Sequence, residues 1–201
     1  MQENIDISIC DLYSQGKSAP QIANILNISQ WSIYRTLKRR EIPRRTTVYS
    51  NKLTFLSKPL SYSKLTRLNT KQNELFIAGL FIYLGEGSKK SFGVVDLANS
   101  DPQVISIFLR MLREIYQINE EKLRVYLYTH ENRDVGKIIS YWSKLLDIPK
   151  SQFTKPYIKS GLTSNHNDKM KNGLVHIRYA DKRLWDNLMD DIRYAINNML
   201  G

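Results

Sequence analysis

The sequence contains a single cysteine, Cys10, and therefore no internal disulfide bond. Small secreted domains that depend on disulfides are excluded, and a reducing compartment fits best. The longest apolar run, residues 75–84, is too short to cross a bilayer. The first residues include acids and no apolar segment of the signal-peptide kind. We therefore predict a soluble intracellular protein, cytoplasmic and associated with the nucleoid, with no membrane partner.

Acidic residues are also scarce, since 19 Asp and Glu stand against 30 Lys and Arg, a net charge of +11. Most of that excess lies in residues 35–71, which contain eleven basic residues and one acid, Glu41. Clustered cations bind a chain of phosphates well because binding releases condensed counterions. A solvated linker is the alternative interpretation, but the position of the cluster favours double-stranded DNA as the partner.

Apolar residues at helical spacing predict three short helices in the first 45 residues. Gly16 ends the first helix, and Ser18 begins the second with Gln21 at the spacing of a capping box. Ser29 is the predicted cap of the third helix. The residues predicted to face inward are Ile5, Ile9, Leu12, Ile22, Ala23, Ile25, Leu26, Ile33 and Leu37.

The pattern LYSQGKSAPQIANILNISQWSIYRTLKRREIPRR resembles the helix-turn-helix of the resolvase and invertase type, over about residues 5–45. In such a fold the third helix enters the major groove. Gln30 and Arg35 would then read base edges, because Gln pairs with adenine and Arg with guanine, and Ser32 would do either weakly. Three further cations would contact phosphates, which position the protein without specifying sequence; these are Lys38, Arg39 and Arg40.

Two more arginines, Arg44 and Arg45, follow Pro43, which holds the chain extended. An extended basic arm binds either in a minor groove or only to phosphates, and both interpretations stay open. Trp31 and Tyr34 lie on the third helix, where aromatic residues are more often packing residues than base contacts.

The rest of the chain has a more balanced charge, with 18 basic and 15 acidic residues in residues 73–201. We predict a DNA-binding module over residues 1–45, a basic linker over 46–72 and a larger domain over 73–201. The periodicity of the larger domain predicts the order α-β-α-β-α-β-β-α and an α+β fold. The predicted helices are residues 74–84, 104–116, 135–146 and 184–199, the predicted strands are 92–98, 123–128, 153–158 and 174–179, and residues 161–172 are predicted to be a flexible loop.

Three segments of this domain resemble the LAGLIDADG homing endonuclease family, in order and over about residues 73–200. They are an apolar helix ending in Gly-acid-Gly (IAGLFIYLGEGS), a strand, turn and helix (VVDLANSDPQVISIFLRML), and a closing strand and amphipathic helix (GLVHIRYADKRLWDNLMDDI). The family's small residue, about five positions before the acid, is Phe81 here, and the Ala78–Gly79 pair lies two to three residues earlier. Small residues allow two helices to approach closely, so this displacement affects how tightly two copies of the apolar helix can pack.

The resemblance implies a domain of helices and antiparallel strands, preceded by the small all-α module, with the strands forming a saddle on DNA. One motif per chain implies a homodimer in which the motif helices pair. Glu86 would be the catalytic carboxylate and would bind Mg²⁺ or Mn²⁺ beside the scissile phosphates. The family often adds a lysine, for which a plain phosphate or surface role stays open; the candidates are Lys155, Lys159, Lys89 and Lys90.

The leading hypothesis is therefore a site-specific, metal-dependent DNA endonuclease that cleaves duplex DNA as a homodimer. A non-cleaving, sequence-specific transcriptional regulator on the same scaffold shares every basic feature and remains the alternative. A recombinase accessory protein is less favoured, because the chain has no recognisable recombinase constellation of Arg and His. The three histidines match no zinc-binding pattern.

Overall fold

The computed structural model describes residues 2–90, 93–160 and 170–201. The chain divides into two compact units, Met1–Pro59 and Leu60–Gly201. The boundary falls within residues 46–72, the segment predicted to be a basic linker. Residues 46–59 belong to the first unit, and residues 60–72 belong to the second. A loop was predicted at residues 161–172, of which residues 161–169 lie outside the described residues.

The first unit consists of four helices. They are α1 (Gln2–Ser14), α2 (Ala19–Leu26), α3 (Gln30–Arg39) and α4 (Thr47–Ser57). The predicted caps are confirmed, since the Ser18 hydroxyl accepts from the Gln21 N–H while the Gln21 side chain accepts from the Ser18 N–H. The Ser29 hydroxyl accepts from the N–H of Ser32 in the same way. Each cap satisfies amide groups that the first turn of a helix leaves without partners.

A small apolar core joins the first three helices. Its buried members are Ile9, Tyr13, Ala19, Ile22, Ile33 and Leu37. The inward prediction is wrong for Ile25, whose side chain is 54% exposed because it lies on the outer side of α2. Helix α4 was part of the predicted linker, and it has no buried residue.

The second unit follows the predicted order of elements. It contains α5 (Thr70–Glu86), β1 (Val95–Asn99), α6 (Pro102–Glu114), β2 (Leu123–His130), α7 (Val135–Leu146), β3 (Tyr157–Lys159), β4 (Leu174–Tyr179) and α8 (Lys182–Leu200). Asn69 and Asp101 cap α5 and α6, and Asp181 caps α8. The α+β class is thereby confirmed.

The four strands form one sheet in the order β1-β4-β2-β3. Strand β4 is antiparallel to both β1 and β2, but β3 is parallel to β2. The expected antiparallel sheet is therefore wrong at this edge. The reason is that α7 carries the chain back between β2 and β3, and such a crossover makes the next strand parallel.

The sheet has one buried and one open face. Alternate residues face the helices and are buried; they are Val95, Leu97, Leu123, Val125, Leu127, Val175, Ile177 and Tyr179. Their neighbours on the other face are polar or aromatic, apart from Ala98 and Leu174, and all are half-buried or exposed except the paired Asp96. This alternation is typical of a two-layer α+β domain with one solvated sheet face.

Residues just after the boundary belong to the second unit. The N–H of Leu65 donates to the Ile115 carbonyl at 2.9 Å, and Tyr62 is part of the core. The Ser61 hydroxyl donates to the Asp181 carboxylate at 2.5 Å. Burial alone would raise the pKa of Asp181, but hydrogen bonds from Ser61 and two backbone amides, with the Lys122 charge, lower it below its usual range.

Helix α5 is less completely buried than its sequence predicts. Leu80 and Tyr83 face the core, whereas Ala78, Phe81 and Gly85 form an exposed stripe along the helix. No helix within the described ranges is both long and apolar enough to cross a membrane.

The close contact between α5 and α6 depends on Gly79. A Cβ atom at Gly79 would lie 2.8 Å from the Met111 Cβ, closer than side chains normally approach. Gly85, on the exposed stripe of the same helix, has no other group within 4 Å of the equivalent position. The two glycines therefore form a matched pair, one enclosed and one open.

We expect Gly79→Ala to lower the unfolding free energy of the second unit by about 1–3 kcal/mol, because overpacking outweighs the better helix propensity of alanine. Gly85→Ala should leave it unchanged or raise it by up to about 1 kcal/mol. Urea unfolding followed by the fluorescence of Trp142 and Trp185 measures both. Equal effects of the two substitutions would contradict the proposed α5–α6 contact.

Candidate nucleic-acid interface

Helix α3 is held in place by its inner face. Ile33 and Leu37 are fully buried, and the hydroxyl of Thr36 donates to the Asp6 carboxylate of α1 at 3.0 Å. A three-residue turn joins α2 to α3, and its first residue, Asn27, has the left-handed conformation that commonly ends a helix. The opposite face of α3 is therefore presented to solvent in a fixed orientation.

Four of the predicted DNA contacts lie on or next to that face. The side chains of Gln30, Arg35, Lys38 and Arg40 are exposed. Within the described ranges, none of the three cations forms an ion pair. Ser32 is half-buried, and its hydroxyl lies 2.9 Å from the Ser29 hydroxyl at the helix cap.

Arg39 occupies a different position from its neighbours. Its guanidinium forms an ion pair with Asp6, whose carboxylate is buried and also accepts the Thr36 hydroxyl. A buried carboxylate is costly unless it is paired and hydrogen-bonded. Arg39, predicted to contact phosphate, therefore joins α3 to α1 within the unit.

The arginines after Pro43 turn back onto the unit. Arg45 stacks on the Tyr13 ring at 3.9 Å, and its guanidinium donates to the carbonyls of Tyr13 and Lys17. Arg44 is exposed and stacks on the Tyr34 ring at 4.1 Å. Of the predicted basic arm, only Arg44 presents its charge to solvent, because Arg45 is engaged by α1 and the loop that follows it.

The two aromatic residues of α3 have different environments. Tyr34 packs against the small core, as predicted. The packing prediction is wrong for Trp31, whose side chain is 66% exposed, with the Arg35 guanidinium 4.7 Å from the centre of its ring. Residue-type frequencies alone do not predict this exposed indole with an arginine lying over it.

Glu86 is the last residue of α5 and is exposed. The N–H of Gly87 donates to the Tyr83 carbonyl at 2.9 Å, and Gly87 pairs with Leu97 beside β1. A Cβ atom at Gly87 would lie 2.6 Å from Cγ and Cε2 of Tyr83 and closer still to Cδ2, so this tight exit requires glycine. Burial raises the pKa of Tyr83 to about 12, and its hydroxyl donates to the Ser88 carbonyl. The backbone next to Glu86 is thus held at the β1 edge of the sheet, while the Glu86 side chain is exposed.

The metal-binding capacity of one chain is limited at this position. Within the described part of the chain, no group of three or more His, Cys, Asp or Glu residues lies together. Mg²⁺ needs only one or two carboxylates when waters and substrate phosphates complete its coordination. Glu86 fits the role of one such carboxylate, and waters and substrate phosphates would supply the remaining ligands.

The candidate lysines are divided between the two edges of the sheet. Lys159 ends β3, and Lys155 precedes that strand, whereas Gly87 lies beside β1 at the other edge. Four strand spacings separate Gly87 from β3, roughly 19 Å. The fold therefore does not bring Lys155 or Lys159 to Glu86 within one chain.

The other two candidate lysines are close to Glu86 in sequence. Lys89 and Lys90 follow it after three and four residues, and both are exposed. They follow Gly87, which pairs with β1 at the edge of the sheet opposite β3.

The open face of the sheet carries residues that the sequence reasoning did not single out as contacts. The Asp96 carboxylate lies 2.9 Å from Nδ1 of His176 and forms an ion pair with Arg178 at 3.1 Å. Arg178 also stacks on Tyr126, and Tyr128 lies 4.9 Å from the His176 ring. The alternation in LRVYLY and LVHIRY was the signal that could have identified this face.

We expect Arg39→Ala to destabilise the first unit by about 1–3 kcal/mol, because it leaves the buried Asp6 carboxylate without its cation. Lys38→Ala is the matched control and should leave stability unchanged, since its side chain is exposed. Thermal unfolding of both variants checks this. Equal stability of the two variants would show that the Asp6–Arg39 pair does not hold α3.

No family model matches the chain, and neither a curated protein nor a solved structure matches it. The resemblances of the first unit and of α5 therefore depend on the residues of this chain alone.

Proposed function

We propose that the protein binds duplex DNA at specific sites, with the first unit acting as a helix-turn-helix whose α3 enters the major groove. The single observation that carries this proposal is the exposed face of α3. It presents Gln30, Arg35 and Lys38 on a helix whose other face is fixed by a core, a cap and the Asp6 ion pair. Such a helix can hold its side chains in register with base edges.

The division of the basic residues supports the same proposal. Arg39 and Arg45 are engaged within the unit, so their charge contributes chiefly to its stability. Lys38, Arg40 and Arg44 are exposed and suited to phosphates, while Gln30 and Arg35 have the chemistry to read adenine and guanine. The contacts to phosphates, which position the protein, and the contacts to bases, which read the sequence, would thus come from one surface of the first unit.

Lys38→Ala should weaken binding by a similar factor on all duplexes, and it should reduce the slope of log K against log salt by about 1, because one phosphate contact is lost. Lys144→Ala, on α7 of the second unit, is the control and should leave the slope unchanged. Fluorescence anisotropy over a salt series measures both. An unchanged slope for Lys38→Ala would contradict a phosphate contact at this position.

We further propose that the protein acts as a homodimer through α5. The exposed stripe of Ala78, Phe81 and Gly85 is the least polar uncovered surface of that helix, and apolar stripes on helices normally face a partner. A two-fold dimer would present two first units to DNA, and so the target would be nearly palindromic. Gly79 serves the contact with α6 inside the chain instead, which explains why the small residues are displaced from the family's pattern.

Cleavage of DNA is the activity that we propose for such a dimer. Glu86 supports it, since an exposed carboxylate at the C-terminal end of a helix is electrostatically unfavourable unless a cation offsets it. Two copies of Glu86 would meet at the dimer axis and share Mg²⁺ or Mn²⁺ with the phosphates. The metal would supply an activated water and stabilise the leaving oxygen. Lys89 and Lys90 are better situated in the chain than Lys155 and Lys159 to contact the same phosphates.

Glu86→Gln should abolish Mg²⁺-dependent cleavage of a selected duplex and leave binding largely intact, because it removes the charge and keeps the shape. Glu74→Gln, at the other end of α5, is the control and should cleave as the wild type does. Both are measured by gel assays of cleavage and binding on the same duplex. Cleavage by Glu86→Gln at the wild-type rate would rule out the catalytic assignment.

A non-cleaving regulator is the second candidate function. It is favoured by the single carboxylate at the end of α5, since no group of three potential ligands lies together within the described residues. Intact DNA at saturating wild-type protein, with Mg²⁺ and with Mn²⁺, would support this function over cleavage.

A further inference from the structure

One side of α3 carries a concave surface beside the predicted reading face. It is lined by Trp31, Tyr34, Arg35, Lys38, Ile42 and Arg44. The lining contains three cations and no acid, so this surface is suited to a negatively charged partner. Two guanidinium groups lie over two aromatic rings, Arg35 over Trp31 and Arg44 over Tyr34.

The Trp31–Arg35 pair differs from the other pair in its exposure. Tyr34 is half-buried and contributes to the core, whereas Trp31 leaves two-thirds of its side chain in water. Burying an aromatic side chain is strongly favourable, so an exposed Trp next to a charged surface is well suited to contact a partner. Trp31 and Arg35 are four residues apart on α3, so they lie on one side of the helix, one turn apart.

Stacking on the indole also orders the arginine. The face of a guanidinium can lie on an aromatic ring while its N–H groups, in the plane of the group, remain available to donate. No hydrogen bond or ion pair engages the Arg35 side chain within the described ranges. The indole therefore favours one orientation of Arg35 before binding, which lowers the entropy lost when it binds.

We propose that Trp31 and Arg35 act as one reading unit for a guanine next to a thymine, an inference that rests on the proposed entry of α3 into the major groove. Arg35 donates two hydrogen bonds to O6 and N7 of the guanine. Trp31 contacts the C5-methyl group of the thymine in the neighbouring base pair, the one apolar group that the major groove offers. Arg44 lies beyond the end of α3, over the Tyr34 ring, and contacts phosphate. It therefore adds affinity without sequence preference.

The test uses the full chain and a duplex selected by the wild-type protein from a random pool. Dissociation constants are measured for that duplex, for each guanine-to-adenine change, and for each replacement of thymine by deoxyuridine, which removes only the methyl group. For the wild type, we expect one guanine change to weaken binding by between about 5-fold and 150-fold. Loss of the methyl group on its neighbour should weaken binding about fourfold.

Four variants separate the roles of the residues. Trp31→Ala should abolish the deoxyuridine effect and reduce the discrimination at the adjacent guanine, and Trp31→Phe should restore part of both. Arg35→Ala should abolish the guanine discrimination. Arg44→Ala is the control and should weaken binding to all duplexes by the same factor. Because Trp31, Arg35 and Arg44 are all exposed, the four variants should unfold at the wild-type temperature.

Two results would contradict the inference in distinguishable ways. If Trp31→Ala keeps both the guanine discrimination and the deoxyuridine effect while the wild type selects a defined sequence, the reading unit is wrong and the DNA-binding function stands. If the wild type binds all duplexes alike, the proposed site-specific function fails, and the inference fails with it.

Discussion

The ion pair between Asp6 and Arg39 fixes what the first unit can present to a partner. Asp6 is buried in α1, accepts the Thr36 hydroxyl and pairs with Arg39, so two residues of α3 bind one carboxylate of α1. Together with the buried Ile33 and Leu37, this contact sets the rotation of α3 about its axis. Only with that rotation do Trp31, Arg35 and Lys38 face solvent on adjacent turns. The stability of the unit and its proposed capacity to bind DNA therefore depend on the same contact.

In the second unit, two glycines position α5. Gly79 allows α6 to approach through Met111, and Gly87 allows the chain to leave the helix past the Tyr83 ring and join the sheet beside Leu97. These contacts place the backbone of Glu86 at the sheet edge and leave the stripe of Ala78, Phe81 and Gly85 uncovered. The proposed dimer and the proposed metal ligand thus both follow from how α5 is held in its own chain.

Local patterns predicted much of this structure, because they reflect forces between residues close in sequence. The caps at Ser18 and Ser29 and the order of elements in the second unit were predicted from such patterns. Long-range contacts were not predictable in this way. The pairing of Arg39 with a residue 33 positions earlier, the binding of Arg45 by α1 and the parallel direction of β3 depend on tertiary structure. Residue-type frequencies do not predict the exposure of Trp31, whereas the helical phase of α3, which places Ile33 inward, does.

The tryptophan of the proposed binding face, Trp31, is far more exposed than Trp142 of the second unit. Trp31 is open to solvent, while Trp142 is buried and donates its N–H to the Asn172 carbonyl at 2.7 Å. Hydroxyl-radical footprinting of the full chain, with and without a selected duplex, therefore tests the central claim most directly. The account predicts that saturating DNA suppresses oxidation of Trp31, that high salt restores it, and that Trp142 stays protected throughout. Unchanged oxidation of Trp31 in the presence of fully bound duplex would contradict it.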